Sequence, residues 1–498
     1  MELTYIGVVQ AIIGLYIVLL GSVRSAIFFL ILSAILMGSA AVVLPALGGS
    51  SIPPVQFALL FTTLRILAPK GGYLGFLPDA VGDNKWLIFF AMYGMASAYL
   101  APRLFAGSFD VFPMQPIEYL GPFGTVPLAP TPQNITATFY MFGAVMLALS
   151  CNVMSRMPGA AAAMISAIIT ASWIHITSGI LDLTMRGTPF EDFLAIFRNA
   201  SYAQLDATAS GFVRIRGLLA EASIYAGLGF ALFVATAEMW YRSIRSSVTG
   251  WTAIGLAMML VLSTASTAYV ALAVYAALFM LRAILFPSAA PAGKLMRAAI
   301  AAFGAVFFLC ALFIFVPQLP IAIWELIAEM TFGKSESLSG QQRLFWAMQG
   351  WHALIASYGL GIGPGSFRSS SQIMAVLGSV GIFGFVAFVL YLVRTFEATR
   401  RSSWGLGATP RKTLGGALGS AAILCLIPAS ISGPSPVPMA FFSIMAGAAI
   451  ALRRPVQEAV ETSPDAALER GGLRSFPAKG ARGPRKTVLR PSNRVCAR

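Results

Sequence analysis

Arg186, Arg198, Arg214 and Arg216 lie in the segment from Asp182 to Ala220, and Lys334, Arg343 and Arg368 lie in the segment from Pro317 to Ser370. Their shared chemistry is anion recognition, because a guanidinium presents a planar fork of donors that matches phosphate oxygens. In GFVRIRGLLAEAS, Arg214 and Arg216 are two apart, so an extended strand turns both side chains to one face, where they can clamp a single anion. Glu221 opens the apolar run that follows. It is the carboxylate placed to act beside them, either as a base or as an ion-pair partner of Arg214 or Arg216. For Arg186 and Arg198 the simpler roles are reaching toward lipid headgroups or pairing with Glu191, Asp192 or Glu336.

The remaining reactive residue types carry less. His175, in WIHITSG, reads as a hydrogen-bonded histidine near a span end. His352 is nine residues from Arg343, and about 100° per helical residue puts the two on opposite faces. The stretch AEMTFGKS (Ala328 to Ser335) has a loose P-loop spacing but lacks the first glycine and a preceding strand, so it is set aside. GIGPG, with Gly361, Gly363 and Gly365, reads as a tight, irregular turn. No Asp-x-Asp occurs, which argues against a metal-assisted enzyme using nucleotide sugars. Cys151, Cys310, Cys425 and Cys496 have no metal-site or disulfide spacing and read as packing residues, apart from Cys496 in the tail.

The elements that position these residues must be membrane helices. The chain is 57% hydrophobic and 11% charged, with a mean hydropathy of +0.78. Crossing a bilayer takes about 20 apolar residues, and such runs recur up to Leu452. They predict an all-α, polytopic transmembrane bundle of about 12–13 spans, near 3–21, 25–46, 54–68, 86–104, 134–154, 158–180, 221–241, 250–263, 265–286, 296–316, 371–393, 412–430 and 437–452. In place of the two spans that meet at Thr264, residues 250–286 have the alternatives of one long helix or a broken pair, with STAST supplying hydroxyls to an interrupted backbone. The first run lacks a basic flank and a small-residue cleavage site and reads as a retained span.

Arg24, Lys70 with Lys85, Arg156, Arg242 with Arg245, Lys294 with Arg297, and the cluster Arg394, Arg400, Arg401, Arg411 and Lys412 fall on alternating connections. The positive-inside bias makes those connections cytoplasmic, with the N-terminus outside and the C-terminus inside. Residues 1–452 thus form the membrane domain, with long outside loops at about 182–220 and 317–370. The tail from Arg453 to Arg498 carries eleven Lys/Arg against four Asp/Glu. It is expected to be disordered and to lie on anionic lipid rather than on nucleic acid.

Both loops are expected to hold interfacial helices. Thr188, Pro189 and Glu191 form a capping-box pattern ahead of Phe190, Phe193, Leu194 and Phe197. Ser339 or Gly340 is expected to cap a helix reaching about Ser357, with Leu344, Met348, Trp351 and Ile355 along one face. Every acidic residue falls near a span end or in a loop, unlike the midplane carboxylates of ion-coupled transporters. Arg65 is the deepest charge, expected to reach inward to water or to a polar bundle interior.

Arg343, Trp346 and GLGIGPGSF, in an outside loop before the last spans, together with VRIRGLLAEASIYAG, resemble the O-antigen ligase and Wzy-type polymerase family of bacterial membrane glycosyltransferases. The likeness covers about residues 210–395. It implies a metal-independent, cofactor-free transfer of glycan from a polyprenyl-pyrophosphate carrier to a hydroxyl, at the outer face of the bacterial cytoplasmic (inner) membrane. By resemblance, Arg216 and Arg343 hold the departing pyrophosphate, Glu221 is the candidate base, and Arg214, Arg368, Gly361, Gly363 and Gly365 bind substrate. The implied partners are the carrier-linked oligosaccharide, the lipid bilayer, a chain-length regulator and export machinery. Where the ligases have a histidine shortly after the glycine run, this chain has Ser369, Ser370, Ser371 and Gln372. Polymerisation of repeat units into exopolysaccharide or O-antigen is therefore the first reading, ligation to lipid A core the second, and a lipid or polysaccharide transporter the alternative from another class.

Overall fold

The computed structural model describes residues 2–44, 50–68, 72–115, 121, 123–189, 191–199, 208–209, 212–285, 293–300, 303–304, 307, 338–403 and 409–454. The expectations for Lys70, Phe190, Cys310, Lys334, Glu336, Cys496, AEMTFGKS, most of the 296–316 span and the tail past Arg454 lie outside them. All described residues fall in one compact unit, Met1–Val456.

The helices, in chain order, are α1 (Tyr5–Leu20), α2 (Val23–Ala34), α3 (Pro54–Leu67), α4 (Leu77–Asp83), α5 (Lys85–Leu104), α6 (Pro132–Ser155), α7 (Ala160–Thr184), α8 (Glu191–Ala195), α9 (Ala222–Tyr241), α10 (Ser246–Leu262) and α11 (Ser266–Leu285). They continue as α12 (Leu338–Ala356), α13 (Gln372–Ser403), α14 (Pro410–Leu424), α15 (Leu426–Ser432) and α16 (Ala440–Leu452). Among the described residues, seven helical segments are long and apolar enough to cross a membrane, α14 and α15 counting together, and α1, α2, α3, α10 and α16 are shorter apolar helices. Small antiparallel sheets among the described residues lie between helices: β1 (Glu2–Leu3) with β2 (Val42–Leu44) and β3 (Ser50–Ile52), β4 (Asp110–Val111) with β5 (Val126–Pro127), and β6 (Thr208–Ala209) with β7 (Phe212–Val213).

The bundle closes through small residues, which let helix backbones approach where lipid gives no hydrophobic drive between helices. A Cβ at Gly447 of α16 would lie 2.2 Å from the Ala148 carbonyl oxygen of α6, and one at Gly350 of α12 would lie 2.2 Å from that of Met374 in α13. At one end of the bundle, Arg156 reaches Asp79 and Asp83, and Arg394 and Arg454 reach Asp83 as well. The ends of α4, α6, α13 and α16 are thereby tied together. The segments that carry Arg214, Arg343 and Arg368 gather at the other end. There a separate core of Val111, Leu128, Ala353, Ile362 and Phe367 forms.

Several expected spans change on folding. The 25–46 run is not one helix: α2 stops at Ala34, and Val42–Leu44 is strand. At Gly38 a Cβ would sit 2.7 Å from the Leu218 carbonyl oxygen, while the Ser39 hydroxyl donates to the Phe197 carbonyl and the Ala40 N–H to Asn199 Oδ1. Contact with the 182–220 loop thus replaces further helix. The 250–286 region is a broken pair, interrupted at Thr264 with φ +48°, and the Ser263 hydroxyl donates to the Leu260 carbonyl at 2.7 Å. The 371–393 span runs on to Ser403 and breaks its helical geometry at Gly381. The 412–430 span divides at Cys425 between α14 and α15, with Pro428 in the second piece. Arg65 donates from Nε to the carbonyl of Gly21, the C-cap of α1, at 3.0 Å, so a helix end takes its charge.

Candidate functional site

Residues 214–217 join the β6–β7 hairpin to α9, and a carboxylate in the last turn of α7 holds them. Asp182 Oδ2 accepts the backbone N–H of Arg216 at 2.7 Å and of Gly217 at 3.3 Å. Arg198 pairs with Asp182 Oδ1 at 2.5 Å, and Arg186 lies 3.5 Å from Oδ2. The same arginines grip the strand from behind: Arg198 Nε donates to the Gly217 carbonyl at 3.0 Å, and Arg186 donates to the Arg214 carbonyl at 3.0 Å. Gly217 has φ +55°, and a Cβ there would lie 2.7 Å from Ser178 Oγ and 2.8 Å from the Tyr225 ring. Only glycine fits this turn.

Arg186 and Arg198 are therefore structural. Among the described residues their acid is Asp182 rather than the expected Glu191 or Asp192. Glu191 accepts instead from the Gly187 N–H at 2.9 Å, and the Thr188 hydroxyl donates to the Met185 carbonyl, which modifies the expected capping box. The helix that follows, α8, is a five-residue turn, with Leu194 buried and Phe193 exposed.

Arg214 and Arg216 do not share one environment. Burial and then the like charge of Arg343 lower the Arg214 pKa from its ordinary value, while Glu221 raises it. For Arg216, burial and Arg198 lower it, Asp182 raises it, Arg186 lowers it and Glu191 raises it. Arg214 thus feels chiefly Arg343 and Glu221, whereas Arg216 feels the Asp182 group.

Arg368 completes the group at Arg214. Burial lowers its pKa and Glu221 raises it, so the same carboxylate acts on both arginines. Its guanidinium stacks over the Trp346 ring at 4.6 Å, and its N–H donates to the Phe112 carbonyl at 3.0 Å. Phe112 packs on Trp346 at 5.2 Å, and its own N–H donates to Gln349 Oε1 at 3.3 Å. The Ser370 hydroxyl donates to the carbonyl of Arg343. Helix α12 and the loop after the glycine run therefore hold Arg343 and Arg368 through backbone contacts.

Among the described residues, Arg214, Arg343 and Arg368 form no ion pair. Buried Nε of Arg214, Nε of Arg368 and Nε1 of Trp346 have no hydrogen-bond partner there. Glu221, the N-cap residue of α9, forms no side-chain cap and accepts from the Ser223 hydroxyl at 3.1 Å. Among the described residues, Glu221 forms no ion pair with Arg214. Arg343 and Glu221 act on Arg214, Glu221 acts on Arg368, and the two unused Nε donors of Arg214 and Arg368 can receive a phosphate-type anion.

The glycine run is fixed in a tight, irregular path by its own backbone. Gly361, Gly363 and Gly365 have φ of +83°, +91° and +87°. Added Cβ atoms would lie 2.5 Å from Gly381 N, 2.7 Å from the Ser97 oxygen and 2.4 Å from the Gln133 oxygen. The Gly361 N–H goes to Ser357 Oγ at 2.8 Å, and the Gly363 N–H goes to the Ser379 carbonyl at 2.9 Å. Asn134 Nδ2 holds the Pro364 carbonyl and Ser366 Oγ, each at 2.9 Å. The run is threaded between α5, α6 and α13, where any side chain would collide with backbone.

Helix α12 is already helical at Leu338, ahead of the expected Ser339 or Gly340 cap. The stripe of Leu344, Met348, Trp351 and Ile355 is exposed, while Gln349 and Ala353 are buried. The small and polar side of the helix meets α13, and the apolar stripe points away from the protein. His352 is exposed. His175 is buried, stacked on Tyr225 at 3.9 Å, and its Nε2 has no partner among the described residues, unlike the expected hydrogen-bonded histidine.

Sequence reasoning missed Asp182 as the hub. Its place four residues before Arg186, on one helical face, was the available signal. The parts played by Phe112 and Asn134 had none, since each arises from contacts more than 200 residues apart. Among the described residues no group of His, Cys, Asp and Glu has a metal-binding arrangement. Neither protein-family models nor curated proteins give a match to this chain.

Proposed function

We propose that the chain is a multi-pass membrane glycosyltransferase that polymerises polyprenyl-pyrophosphate-linked oligosaccharide repeats at the outer face of the bacterial cytoplasmic membrane. The observation that carries this reading is that Arg214, Arg343 and Arg368 form no ion pair among the described residues, with the buried Nε of Arg214 and of Arg368 unused. An anion with several oxygens would satisfy them, and a pyrophosphate at the membrane surface has that chemistry.

In this reading an acceptor hydroxyl attacks the anomeric carbon of the donor. The new C–O bond forms as the bond to pyrophosphate breaks, and the electron pair leaves with the phosphate oxygen. Guanidinium groups fixed beforehand stabilise that growing charge, an effect of about 10²–10³ in rate per donor group. Glu221, held between Arg214 and Arg368, takes the hydroxyl proton. Arg216 has a positioning role, since its N–H anchors the strand to Asp182.

Against an ion-coupled transporter, each buried carboxylate among the described residues, Asp83, Asp182 and Glu238, is paired with arginine. The run Ser369 to Gln372 favours polymerase over ligase, because it carries no histidine after the glycine turn.

The test is complementation of a deletion strain at matched expression with Arg214→Lys, Arg343→Lys and the alanine variants. Lysine keeps the charge but loses the fork, so both lysine variants should lose long polymer nearly as fully as alanine. Full-length polymer from both would remove the proposal.

A further inference from the structure

The end of the bundle opposite Arg343 holds a cleft of about 290 Å³ between the start of α5 and the later part of α13, lined by Asp83, Lys85, Trp86, Leu390, Val393 and Arg394, among others. Its carboxylates are saturated. Asp83, 1% exposed, takes Arg156 at 2.7 Å, Arg394 at 3.3 Å and Arg454 at 2.7 Å. Glu397 takes Arg394 at 3.2 Å and also Arg453. Asp79 takes Arg156 at 3.0 Å and Arg454 at 2.9 Å.

Counting Lys85, five cations meet three carboxylates, so the cleft region keeps a positive excess. The Lys85 ammonium rests 5.2 Å over the Trp86 ring, and among the described residues it has no ion pair. From this polar end an apolar surface continues along the same two helices, with Phe89, Val386 and Val393 exposed. The volume lies at the small end of ligand sites, about 300 Å³. It suits a headgroup whose hydrocarbon remains outside.

We propose that this cleft binds an anionic phospholipid, with its phosphate on Lys85 and Arg394 and its acyl chains along Phe89, Val386 and Val393. Both helices are apolar enough to span a bilayer, which puts the polar cleft at headgroup level, where basic pockets between helices select anionic lipids. The tail from Arg453 carries eleven basic residues against four acidic ones, so charge disfavours it as the occupant. The inference is independent of the proposed glycan chemistry.

Native mass spectrometry of the full-length, delipidated protein tests it by titration with phosphatidylglycerol and, separately, phosphatidylcholine. Phosphatidylglycerol should bind preferentially. A surface cation contributes about a fivefold factor, so Lys85→Glu, a change of two charges, should weaken that binding about 25-fold. Arg297→Glu, an exposed charge reversal elsewhere, should leave it unchanged. Free glycerol phosphate, which has no chains for the apolar surface, should not compete. Equal binding of the two lipids, unchanged affinity in Lys85→Glu, equal loss in both variants, or effective competition by glycerol phosphate would each overturn the site.

Discussion

Replacing Asp182 by asparagine should unfold the scaffold behind the arginine site. The carboxylate receives two backbone N–H groups from Arg216 and Gly217 and pairs with Arg198. Both side chains of that pair are 4% exposed. Breaking a buried pair by removing one charge costs about 3–5 kcal/mol, because the other charge stays buried. Arg198 keeps the Gly217 carbonyl as an acceptor, which places the expected loss near the lower bound of about 3 kcal/mol. Asparagine can still accept from the two N–H groups through its oxygen, but its amide nitrogen then faces Arg198 as donor against donor. Equilibrium unfolding of the purified protein in mixed micelles measures the loss. Arg198→Gln and the double variant complete a cycle, in which the coupling should reach about 1–3 kcal/mol. A stability of Asp182→Asn within about 0.5 kcal/mol of the parent, the usual range for surface changes, would refute the hub, as would strictly additive losses.

Gly365→Ala should destabilise by at least about 1–3 kcal/mol, since it combines φ +87° with a Cβ 2.4 Å from the Gln133 carbonyl oxygen. The same micelle unfolding reads this out, and a neutral outcome would show that the turn is free to relax. His352→Ala should leave polymer length and yield unchanged in the complementation strain. The residue is exposed, and on α12 it lies half a turn out of phase with Arg343.

Most of the helices were legible because a bilayer demands long apolar runs, and α5, α6, α7, α9 and α11 begin and end within a few residues of the expected spans. What failed was the apolar run that stays inside the protein. Residues 35–44 carry the hydrophobicity of a span but bury it against residues 197–220, and composition cannot distinguish lipid from protein as the apolar neighbour. The outward stripe of α12 shows the converse, because Gly350 and Ala353 rather than the large residues mark its packed face. At the site, the arginines stood out by residue type. Their division into two groups did not, because it depends on Asp182 and on where the loop carrying Arg368 crosses α12.

The most direct test of the central claim is reconstitution of the purified chain in nanodiscs with the lipid-linked oligosaccharide extracted from a strain that lacks it. Glycan length and release of polyprenyl pyrophosphate are followed in the same reaction. Polymer and free carrier pyrophosphate should appear together, and Arg343→Lys should slow both by about 100-fold. This chemistry is contradicted if the carrier-linked repeat is consumed without release of the pyrophosphate, if no polymer forms, or if Arg343→Lys matches the parent rate.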